Sequence, residues 1–113
     1  MKATLLLTAV CCAVAAPSLR AQQSSSATYA VHAAALSATM TYCRTKHGPL
    51  RPNSAGQECF HRAKEALNEV DLKAASSRID RQCSDPATFN TCLTPEIGKV
   101  VYRILEVFES KRL

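Results

Sequence analysis

The sequence predicts an all-α fold, a small disulfide-stabilised bundle of about four helices. Three observations lead there. Apolar residues recur at steps of three and four along most of the chain, which is the helical period. There are only three glycines and no alternating strand pattern. Six cysteines fall in 113 residues, and four of them stand within the helical part.

The N-terminus reads as a signal peptide over residues 1–21. Met1-Lys2 is a short positive start, Ala3 to Ala16 is apolar, and Pro17-Ser18 breaks the run before Leu19-Arg20-Ala21. A spanning helix needs about 20 apolar residues, so no membrane span is expected. Cleavage is expected near Ala21, and Cys11 and Cys12 leave with the peptide. The expected location is secreted or periplasmic. Residues 22–27 are expected to be a disordered polar leader, rich in serine. Residues 28–113 are short enough to make one helical domain.

The first helix is expected from Thr28 to Lys46. Tyr29, Ala33, Leu36, Met40 and Cys43 make its apolar face, and the many Ala and Ser elsewhere allow a neighbour to approach closely. Gly48-Pro49 ends it. Ser54 caps the second helix, with Gln57 as its capping-box partner. Cys59, Phe60, Ala63, Ala66, Leu67 and Val70 form the second stripe. Leu72, Ala75, Ile79 and Cys83 form a third, out of phase with the second. Either the chain kinks near Asn68–Asp71 with Asp71 as a cap, or one long helix shows two apolar faces. Asp85 caps a short turn starting at Pro86. The last helix is expected to start with Thr94 as N-cap and Pro95 at the first position. Ile97, Val100, Val101, Ile104, Leu105 and Phe108 are its stripe.

Cys43, Cys59, Cys83 and Cys92 are the candidate site residues, and their expected role is structural. An even cysteine count in a short exported chain is a disulfide framework. The end of the first helix and the start of the second come together in a hairpin, which favours Cys43–Cys59 with Cys83–Cys92. The crossed pairing, Cys43–Cys92 with Cys59–Cys83, would staple the last helix to the first and stays open. There is no C-x-x-C for redox work. Cys43, His47, Cys59 and His61 lack the paired spacing of a zinc site, so neither metal nor cofactor is expected.

No catalytic residues are expected. His61 and Glu65 are four apart, which any charged helix face also shows. Ser24 to Ser26 and Ser76-Ser77 lack a nucleophile elbow. The formal net charge is +5 and becomes weakly basic once Lys2 and Arg20 leave. Those charges are interspersed, and tryptophan is absent, so no nucleic-acid partner is expected.

One run bears a likeness to a known group. Cys92-Leu93-Thr94-Pro95-Glu96-Ile97-Gly98-Lys99-Val100-Val101 resembles the Cys-Leu-Pro-like stretch before an apolar helix in small periplasmic immunity proteins of bacterial type VI secretion systems. The resemblance implies a helical, four-cysteine fold. The chain departs from the group in having Cys83 and no cysteine after this helix, and no residue roles carry over.

The reading is therefore a small exported, non-enzymatic protein-binding module, of inhibitor, immunity or effector type. Its partner is expected to be another protein outside the cytoplasm. One alternative is a carrier holding a small apolar ligand between helices, lined by Leu36, Met40, Phe60, Leu67, Ile104 and Phe108. The other is a small secreted hydrolase. Intact-mass analysis of the exported protein is expected to give an N-terminus at Gln22, with four cysteines unreactive to alkylation until a reductant is added.

Overall fold

The computed structural model describes residues 27–113. The signal peptide, Cys11, Cys12 and residues 22–26 of the leader lie outside the described residues. Four α-helices follow in order: α1 over 27–47, α2 over Ala55–Ala66, α3 over Leu72–Gln82 and α4 over Phe89–Lys111. Short 3-10 turns at Leu67–Glu69 and Pro86–Thr88 precede α3 and α4. There is no strand among the described residues, and no helix there is long and apolar enough to cross a membrane.

The helix ends follow local chemistry. Gly48 terminates α1 at φ 88°, a conformation that costs glycine little, and its N–H returns to the Arg44 carbonyl at 2.9 Å. Ser54 Oγ accepts from the Gln57 N–H at 3.1 Å. Gln57 Oε1 accepts from the Asn53 N–H at 2.8 Å, one residue before the cap, so the reciprocal bond of the capping box is displaced by one position. Of the two readings for residues 68–71, the kink is realised. Val70 is extended, and Asp71 caps α3 by accepting from the Ala74 N–H at 2.9 Å. Asp85 accepts from the Ala87 N–H at 3.0 Å and starts the turn at Pro86.

α4 departs from expectation. It begins at Phe89, not after Thr94, and Pro95 lies inside it. Proline there removes the N–H that would reach the Thr91 carbonyl. Thr91 is exposed, so water can take that carbonyl. Thr94 is therefore not a cap; its hydroxyl donates back to the Asn90 carbonyl at 3.0 Å. The helix begins N-terminal to the proline, and Cys92 in those first turns is bonded to Cys83.

The core lies where the other three helices face α4. Phe108, Ile104 and Ile79 are among its largest fully buried side chains, and Val100 and Val107 flank them. The other helices contribute mostly small residues: Ala27, Val31 and Ala35 from α1, Ala63 and Ala66 from α2, Ala75 from α3. Thr39 is fully buried too, its hydroxyl satisfied by the Ala35 carbonyl at 2.7 Å. The expected apolar face of α1 is corrected here. Ala27, Val31, Ala35, Thr39 and Tyr42 face the core, while Tyr29 and Leu36 are 76% and 47% exposed. Cys43 alone of the expected stripe is fully buried. Close approach of α1 favours alanine over leucine at the contact, so the larger residues are turned outward.

Gly56 shows how tightly the α1–α2 loop is packed. A Cβ there would stand 2.5 Å from the Gly48 carbonyl oxygen and 2.6 Å from that of Pro49. Backbone cannot swing away, so Gly56→Ala is expected to destabilise by about 1–3 kcal/mol through overpacking. That exceeds the gain in helix propensity of about 1 kcal/mol. Gly98 has open space around its Cβ position, so Gly98→Ala is expected to stabilise by about 1 kcal/mol. Urea titrations with the bridges intact check both signs.

Candidate functional site

The cysteines pair as Cys43–Cys59 and Cys83–Cys92, each with Cα atoms 5.6 Å apart. This is the local pattern. Cys43, Cys59 and Cys83 are buried, so the bridges join helices within the core and present no thiol to a substrate. With Cys43 and Cys59 bonded to each other, His47 and His61 have no cysteine ligands to share. No group of three His, Cys, Asp or Glu is placed to hold a metal ion among the described residues. His47 Nε2 lies 3.1 Å from the Leu113 carbonyl, and His32 Nδ1 lies 2.8 Å from the Thr28 carbonyl. His61 and Glu65 are both exposed on α2. Ser76 is turned inward, its hydroxyl bonded to the Leu72 carbonyl at 2.8 Å.

Of the residues named for a ligand cavity, four pack into or against the core. Ile104 and Phe108 are core, Phe60 and Leu67 pack on its edge, and Leu36 stands on the outside of α1. A different hollow forms instead, along the seam between α1 and α4. It has a volume of about 490 Å³. Ala34, Ala38 and Tyr42 line it from α1, and Val101 and Leu105 from α4. Lys46 and Glu109 close one end, paired at 3.2 Å. Tyr102, 72% exposed, lies three residues before Leu105 and so flanks the same wall.

Sequence spacing explains the hollow. Ala34, Ser37, Ala38, Thr41 and Thr45 recur at three and four and give α1 a flank of small side chains. Opposite stand Val101 and Leu105, one turn apart on α4. Small residues against branched ones leave a trough where two large faces would have closed. The small-residue flank of α1 was the available signal in the sequence; its partner on α4 was hidden inside an apolar stripe that looked wholly internal.

Tyr42 anchors the trough. Its ring packs on Phe108 with centroids 5.2 Å apart, and Lys46 Nζ lies 5.1 Å from its centroid. The Tyr42 hydroxyl, and after it the Glu109 carboxylate, hold the Lys46 ammonium above its ordinary range. The hydroxyl itself is buried without a partner of hydrogen-bond geometry. Because the folded pKa is raised, any stabilisation from Lys46 is complete at neutral pH and is lost only as alkali passes the raised value.

A second hollow, between α3 and α4, also measures about 490 Å³ but is polar. Glu96 is buried there, with Lys99 at 2.9 Å and Arg78 at 3.8 Å. Glu69 pairs with Lys111 nearby. These charges already compensate one another, so the site's own groups leave little for a ligand to satisfy. The α1–α4 trough is the one whose apolar walls lack a partner.

Compared with known proteins, the chain matches no family model, no curated protein sequence and no solved structure. For Tyr42→Phe, removal of a buried hydroxyl without a partner is expected to raise stability by about 1 kcal/mol. Thermal melts check the sign.

Proposed function

We propose that this is a non-enzymatic protein-binding module that works outside the cytoplasm, with the α1–α4 trough as its docking site. The supporting observation is an apolar trough, open to solvent, held on a twice-bridged scaffold. The fitting partner is an amphipathic helix from another exported protein. Such a helix lays apolar side chains at i, i+3, i+4 and i+7 into a groove. Val101 and Leu105 offer an apolar wall at that spacing, and the small residues of α1 let a second helix come near. Exposed Tyr102 suits the rim, since tyrosine gives contact area at low entropic cost. The Lys46–Glu109 pair at one end selects a partner with complementary charge beyond its apolar stripe. Two disulfides are compatible with an extracellular or periplasmic setting.

A second reading, the carrier of a small apolar ligand, is favoured by the trough's volume, which suits small-molecule sites of about 300–1,000 Å³. Native mass spectrometry of the purified protein tells the two apart. The carrier reading needs a co-purifying small molecule; the docking reading needs none.

Affinity capture from the native extract tests the proposal. The bridged protein is expected to retain a protein partner, and Ala38→Arg and Val101→Lys should each weaken retention at least about tenfold, roughly 1.4 kcal/mol. Ser77→Arg, on exposed α3 surface, should leave it unchanged. Loss of capture in all three variants alike, or no partner for the wild type, would overturn the reading.

A further inference from the structure

The first turns of α4 are held differently from the rest of the helix. Its buried residues are Glu96, Val100, Ile104, Val107 and Phe108, all C-terminal to Pro95. Residues 89–94 add none to that set; Phe89, Cys92 and Leu93 pack half-buried against the edge of the core. Thr88 precedes the helix without a side-chain cap bond, and no acidic residue stands in the first turn. Pro95 then interrupts the hydrogen-bond ladder between these turns and the remainder. Its ring also disfavours helical backbone at the preceding residue, Thr94.

A better local start lies at Thr94-Pro95. With Thr94 extended, its hydroxyl leaves the Asn90 carbonyl and can cap the helix. Pro95 takes the first position, where a missing N–H costs nothing, and Glu96 falls in the first turn, where the helix dipole favours a carboxylate. The Cys83–Cys92 bridge opposes this shorter helix by pinning Cys92 to the end of α3. The two bridges also differ in access. Cys43 and Cys59 are 0% and 4% exposed. Cys83 is buried as well, but Cys92 is partly exposed and the neighbouring residues 84–88 lie open to solvent.

We infer that Cys83–Cys92 is a site of thiol–disulfide exchange with an external dithiol, and that its reduction moves the start of α4 from Phe89 to Pro95. A thiolate of the dithiol attacks Cys92 Sγ and forms a mixed disulfide. The Cys83–Cys92 bond breaks, and Cys83 leaves as a thiolate that takes a proton. The second thiol of the dithiol closes on the mixed disulfide and releases Cys92, which is protonated in turn. Two electrons and two protons pass to the protein, and the dithiol becomes a cyclic disulfide. Attack falls on Cys92 because access governs which sulfur is reached. The reduced chain presents residues 84–93 as a loop carrying two thiols, with Phe89 and Leu93 released from the edge of the core. Cys43–Cys59 and the buried part of α4 stay in place. The inference does not rest on the function proposed above.

Treatment of the protein, both bridges formed and no denaturant present, with dithiothreitol tests the exchange site. Samples are quenched by alkylation and mapped by peptide mass. Cys83 and Cys92 are expected to be alkylated at least about tenfold faster than Cys43 and Cys59. In the selectively reduced protein, backbone carbon chemical shifts of residues 89–93 should move from helical to coil values, and those of 97–108 should stay helical. Pro95→Ala separates a switch from the simple loss of a cross-link. Alanine restores the N–H to the Thr91 carbonyl and is exposed at this position, so the reduced variant should keep residues 89–93 helical. Equal or faster alkylation of Cys43 and Cys59 overturns the exchange site. Helical shifts at 89–93 that survive reduction overturn the switch. So does loss of helix at 97–108, or a reduced Pro95→Ala variant that turns to coil as the wild type does.

Discussion

Each disulfide closes a single helical hairpin, and neither crosses between hairpins. Cys43–Cys59 ties α1 to α2, and Cys83–Cys92 ties α3 to α4. Among the described residues, the main chain through residues 67–71 is the only covalent link between the two halves. Their relative placement therefore depends on packing around α4, where Phe108 and Ile104 are fully buried. The rest of the structure follows from this constraint. Alanine faces on α1 and α2 bring backbones close to α4, but they bury little apolar area per residue. The bridges offset that shortfall, each being worth on the order of 3 kcal/mol in the chain-entropy model. Covalent hairpins and one bulky central helix together make a scaffold whose surface is free to vary.

The same arrangement explains why the trough lies where it does. α1 meets α4 closely at its C-terminal end, through Tyr42 on Phe108 and Lys46 on Glu109. Small side chains along the seam leave the space beside that contact unfilled. The polar hollow between α3 and α4 has the same volume and a different fate, because Glu96, Lys99 and Arg78 satisfy one another within it. Of two depressions equal in size, chemistry and not volume separates the candidate site from a structural ion cluster.

Much of this fold was legible in the sequence, because helix ends are written in local chemistry. Ser54, Asp71 and Asp85 each accept the backbone N–H that their position foretold. Gly48 ends α1 as expected. What stayed hidden is tertiary. The larger apolar residues of α1 suggested its core face, yet the core took Ala27, Val31 and Ala35 and left Tyr29 outside. Hydrophobicity ranks side chains one at a time, whereas helix contact depends on how near two backbones can come. Thr94-Pro95 carried every local mark of a helix start, yet α4 begins at Phe89, with bridged Cys92 in its first turns. The trough was invisible for a related reason: it is a mismatch between two helices, and no single helix encodes it.

The order of the bonds along the chain carries a last consequence. Each cysteine is joined to the next one in sequence, with separations of 16 and 9 residues. When a chain emerges from its N-terminus into an oxidising space, Cys43 meets Cys59 before Cys83 has appeared. Of the four bridged cysteines, Cys83 is then left with Cys92. The native pattern is thus also the pattern of first encounter, and it forms without any bond having to be broken and remade.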